Sequence, residues 1–89
     1  MSGLTGMDIS AVRTLASQLS AKADEIETIA STLTGQLDGT QWIGADADGF
    51  RNDWLNTHRV QLQNVAGALR DASTRATNNA NQQEQASAS

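Results

Sequence analysis

The chain has no cysteine, no proline and no tyrosine, with a single phenylalanine and a single histidine among its 89 residues. Each gap closes a route. Without cysteine there is no disulfide and no thiolate metal site, and His58 alone cannot build an imidazole site, so no metal and no cofactor are expected. Without proline, nothing in the chain compels a helix to stop or kink. Positive charge is also sparse: Arg13, Lys22, Arg51, Arg59, Arg70 and Arg75 are scattered against ten acidic residues, for a net charge of −4. A phosphate-backbone partner needs clustered Lys and Arg, so no nucleic acid is expected. No apolar run is long enough to span a bilayer, and no stable membrane insertion is expected. Residues 1–7 carry neither a basic leader nor an apolar core, so any export is expected to bypass a cleaved signal peptide, and this glycine-containing stretch is expected to fray.

Two helical arms around a glycine-rich centre remain. Asp8 is placed to N-cap the first arm. After it, Val12, Leu19, Ile26 and Leu33 recur every seven residues, Leu15 and Ile29 fall at the second core position of the same heptads, and Ala16, Ala23, Ala30 and Leu37 flank them. This is a coiled-coil-like stripe, but broader than a simple seam. Gly39 can end the arm in a left-handed conformation. In the second arm Asp46 and Asp48 put negative charge at a helix start, where the dipole favours it. Ala47, Phe50, Trp54, Leu55, His58, Leu62, Val65, Leu69, Ala72 and Ala76 follow in steps of three and four, apart from adjacent Trp54 and Leu55. The consecutive fours through Trp54, His58 and Leu62 mark a stutter in the seam. From Asn78 the composition turns to Asn, Gln, Ala and Ser, which offers little to bury, so a flexible tail is expected.

The expected fold is therefore all-α: one domain spanning 1–89, with helix 1 over about 8–38, a turn over about 39–45, helix 2 over about 46–78 and a flexible tail over about 79–89. Arms this long joined by so short a connection must lie antiparallel. One hairpin leaves the flanks of a wide stripe wet, and pairing two hairpins into a four-helix bundle dimer would cover them. Val12, Leu15, Leu19, Ile26, Ile29, Leu33, Phe50, Trp54, Leu62, Val65 and Leu69 are the expected hairpin and dimer core.

Between the arms stands Gln41-Trp42-Ile43-Gly44-Ala45-Asp46-Ala47. A large ring in a short glycine-rich connection points to a packing anchor or a recognition element. The chain length, the proline-free arms and the central Trp42-Ile43-Gly44 resemble the ESAT-like WXG family, the small helical-hairpin substrates of type VII (ESX) secretion in Gram-positive bacteria. The segment from Ala45 to Trp54 is similar to actinobacterial members. The resemblance covers residues 8 to about 80. It implies antiparallel dimers, either a homodimer or a heterodimer with a sister WXG protein, recognised by a type VII secretion ATPase, exported folded and secreted. It also implies a composite export signal, with Trp42 and Gly44 as one half and a C-terminal Tyr-x-x-x-Asp/Glu as the other. That second half is missing here, since the chain has no tyrosine. A sister chain would have to supply it, or this tail carries another signal, or the chain is not exported.

Each of these residues also has a plainer reading. Trp42 can serve only as a plug, and Gly44 only as a backbone requirement at a helix start. His58 is expected to be a packed or partly exposed histidine. Asp46, Asp48 and Asp53 lack the glycine and glutamate offsets of a calcium loop. No serine has a base placed to activate it, so no enzyme is expected. Two function classes stand: a secretion substrate acting through protein–protein contact, and a cytoplasmic helical adaptor or chaperone for a larger type VII substrate.

Overall fold

The computed structural model of the protein describes residues 7–88. Residues 1–6, where the expected fraying mostly falls, and Ser89 lie outside that range. Helix α1 runs Ile9–Gly39, α2 runs Ala45–Asp53, a π-helical turn occupies Trp54–His58, and α3 runs Arg59–Ala88. The last three form one continuous arm. Cross-helix pairs fix the direction: Arg13 meets Glu84, Ala16 meets Ser73, Glu27 meets Arg70 and Thr34 meets Trp54. Partner numbers fall as those in α1 rise, so the arms are antiparallel. The resulting hairpin measures 66 × 18 × 17 Å, with a radius of gyration of 19.7 Å against about 12 Å for a globular chain of this length.

Both helix starts follow local chemistry. The Asp8 carboxylate accepts a hydrogen bond from the Ala11 amide at 2.9 Å, as an N-cap should. Asp46 and Asp48 lie in the first turn of α2. The end of α1 departs from expectation. Gly39 is still helical, and the cap is Thr40 in an extended conformation, its hydroxyl donating to the Gln36 carbonyl at 2.6 Å. A side chain that satisfies one of the last open carbonyls makes a left-handed glycine unnecessary there.

The seam between the arms is built from small side chains. The fully buried residues among those described are Ala16, Ala23, Ala30, Ala47, Ala66 and Ala80. None of the expected large core residues reaches that state within the single chain. Val12, Leu19, Ile26, Trp54, Leu62 and Leu69 are half-buried, while Leu15, Ile29, Leu33, Phe50 and Val65 are exposed. Geometry explains the exchange. Ala16, Ala23 and Ala30 repeat every seven residues, and so do Ala66, Ser73 and Ala80 on α3. Methyl-sized side chains on both sides of a seam let two helices approach at the lower end of the usual 8–10 Å range. The larger residues are thereby displaced to one flank. At about 0.8 kcal/mol per buried methyl, the alanines hold less apolar free energy than the flank would release if it were covered.

The stutter takes the form of the π turn. The Arg59 amide bonds the Trp54 carbonyl five residues back, one residue more than an α-turn allows. The seam then resumes through Arg59, Ala66, Ser73 and Ala80 in heptad steps. His58 falls outside it and is exposed, contrary to its place on the apolar stripe. The tail is corrected as well: the stretch expected to be flexible, 79–89, is helical through Ala88. Ala80 is buried, and Arg13 donates hydrogen bonds to Asn81 at 2.9 Å and to the Glu84 carboxylate, which holds this segment on the start of α1.

Candidate recognition site

The rod has two unlike sides and a shaped tip. On one side of the alanine seam lie Arg13, Ser20, Glu27 and Thr34 of α1, opposite Gln63, Arg70 and Thr77 of α3. This side carries the inter-helix polar links. Arg70 reaches both Glu27 and Asp24, the latter at 2.6 Å, and these two carboxylates hold its guanidinium pKa above the ordinary arginine value. Arginine is charged at every relevant pH in any case, so the effect of the pair is to position the side chain rather than to act as a switch. Arg13 pairs with Glu84 nearer the open end. A shallow groove of about 560 Å³ lies between Glu27, Ser31, Thr34 and Asp38 on α1 and Arg59 and Gln63 on α3.

The opposite side is more apolar. Leu15 and Leu19 of α1 face Ala68, Ala72 and Ala76 of α3 across a second groove of about 480 Å³, rimmed by Asp71, Arg75 and Asn79. Ile29 is 52% exposed, and Leu33 and Val65 also remain open to solvent. The aliphatic residues expected to form a core thus lie along this flank, where the single chain leaves them incompletely covered.

At the tip the backbone of residues 40–44 is held by contacts that the sequence pattern did not reveal. Arg51, in the last turn of α2, donates to the Trp42 carbonyl at 2.8 Å and to the Thr40 carbonyl at 3.1 Å. Gly44 N-caps α2 with φ 126° and ψ 177°, a region open in practice to glycine alone, and its carbonyl accepts the Asp48 amide at 3.0 Å. A Cβ at Gly44 would meet nothing within 4 Å, so the requirement is one of backbone conformation and not of space. The Trp42 ring packs against Phe50, with centroids 5.4 Å apart and planes at 53°, and remains 38% exposed. Ile43, the middle residue of the motif, is 88% exposed.

The second tryptophan is an anchor. Its indole N–H donates to the Thr34 hydroxyl at 2.8 Å, and that hydroxyl donates to the Ala30 carbonyl at 2.7 Å. Ser73 likewise donates across the seam to the Ala16 carbonyl at 2.6 Å. Thr34, Ser73 and Arg51 escape a search for apolar periodicity because each acts on a backbone or hydroxyl group that only the fold brings near. Among the described residues, no group of three or more His, Asp or Glu side chains is placed to hold a metal ion, and no helix is long and apolar enough to cross a membrane. No protein-family model, curated protein or solved structure matches the chain.

Proposed function

We propose that this chain is a small non-enzymatic export substrate of a type VII (ESX) secretion system, recognised as a folded four-helix-bundle dimer through its Trp42-Ile43-Gly44 tip. The observation that carries the reading is a one-sided rod with its Trp-x-Gly at the hairpin connection. The polar side carries the chain's own cross-links, and the opposite side leaves Leu15, Ile29, Leu33 and Val65 exposed. That side has room for a second hairpin: a 66 × 18 Å face projects roughly 1,200 Å², against about 800 Å² per partner in an interface of standard size. Leu15, Ile29, Leu33 and Val65 are each already about half shielded, so covering them releases about half of the 1.5–3 kcal/mol of a full burial per side chain, or about 6–12 kcal/mol over two chains, comparable with the cost of association.

A second copy of the chain is the first choice of partner, and a sister Trp-x-Gly chain the second. The ATPase of the secretion system is the recognising machine, and the protein reaches the medium without a cleaved signal peptide. In the host, the protein should accumulate in culture filtrate when the ATPase is present and stay with the cells when it is deleted. Sedimentation of the purified chain should give a dimer at micromolar concentration. A cell-associated protein indifferent to the ATPase would leave the adaptor reading in its place.

A further inference from the structure

Resting on the export reading, we propose that the hairpin tip docks, with Ile43 leading, into a protein pocket that has an apolar floor and a basic rim. Ile43 is the most exposed of the large apolar residues among those described, and it follows Trp42 of the Trp42–Phe50 ring pair. Single exposed apolar side chains are ordinary, but a contiguous set on a connection held by two hydrogen bonds from Arg51 is a formed surface. Gly44 and Arg51 fix the backbone on either side of Ile43, so docking need not order a loose loop.

Charge defines the rest of the pocket. Asp46 and Asp48 in the first turn of α2 are exposed beside this ridge, and Asp38 in the last turn of α1 is exposed at the tip end of the polar groove. The helix dipole explains Asp46 and Asp48. It opposes Asp38, which sits at the negative end of α1 and forms no ion pair among the described residues. The guanidinium of Arg51 is turned inward onto two carbonyls. An acidic collar around an apolar ridge matches a rim of Lys or Arg, and it repels an anionic membrane surface.

The test titrates the purified full chain against the purified cytosolic domain of the host's type VII ATPase, at about 0.05 M and about 0.5 M salt, either side of the physiological screening regime. Ile43→Ser should weaken binding by roughly tenfold or more at both salts, as loss of a central apolar anchor does. Asp38→Asn with Asp48→Asn should weaken it several-fold at low salt and remove most of the salt dependence. Both variants should keep the wild-type helical spectrum and dimer mass. Wild-type binding that neither variant changes overturns the proposal, as does tighter binding without the acids or uptake of the wild-type tip by anionic vesicles. An Ile43→Ser chain that loses its dimer overturns it too, because the occupant is then a second copy. Failure of the wild type to bind the ATPase at all removes the export reading itself, a result distinct from binding that ignores the tip.

Discussion

Replacing Ala23 with leucine should harm this protein more than cutting Ile29 back to serine, the reverse of what side-chain size alone suggests. Ala23 is fully buried, midway between Ala16 and Ala30 on the seam. A leucine there adds carbons where the opposing helix already lies in contact, and overpacking of this kind costs about 1–3 kcal/mol. At about 4–8 °C per kcal/mol for a domain this small, the melting temperature should fall by roughly 4–24 °C. Ile29 is 52% exposed, so Ile29→Ser removes only part of one side chain's burial from the hairpin, within about 1 kcal/mol. Its cost appears in assembly. Circular dichroism melts at protein concentrations about a hundredfold apart separate the two effects, because only a dimer's stability depends on concentration. Ala23→Leu should melt low at both concentrations, whereas Ile29→Ser should lose the concentration dependence and sediment as a helical monomer. An Ala23→Leu chain that melts like the wild type would refute the alanine seam. An Ile29→Ser chain that unfolds as a monomer would show that Ile29 belongs to the hairpin's own core.

Two further outcomes follow from the tip and the tail. Gly44→Ala should destabilise by about 1–3 kcal/mol through backbone strain, while D-alanine at the same position, introduced by chemical synthesis, should melt like the wild type; equal losses for both would mean that space is the constraint. Deleting residues 82–89 removes the exposed Glu84 partner of Arg13 and should lower the melting temperature by only a few degrees, in keeping with a pair worth about 0–1 kcal/mol. Arg13→Met made in the truncated chain should then cost only its remaining bond to Asn81, and a loss as large as in the full-length chain would show that Glu84 adds nothing to the Arg13 contact.

By itself the sequence determined that there would be two proline-free helical arms, that Asp8 would start the first, that the Trp-x-Gly would fall in the connection, and that the second arm would change register near Trp54. All of these are consequences of local chemistry or of periodicity along one chain, and neither needs a partner to be read. Which stripe faces which was decided only by the tertiary structure. Val12, Leu19, Ile26 and Leu33 carry the strongest periodic signal, yet the seam belongs to Ala16, Ala23 and Ala30, because close approach of two helices rewards small side chains and periodicity counts only large ones. Likewise the composition of residues 79–88 reads as disordered. It is helical because Ala80 finds a place on the seam and Arg13, far away in sequence, reaches Asn81 and Glu84. The Arg51 latch and the outward setting of Ile43 rest on carbonyl positions that exist only once the turn has closed, so no spacing of residue types could have announced them.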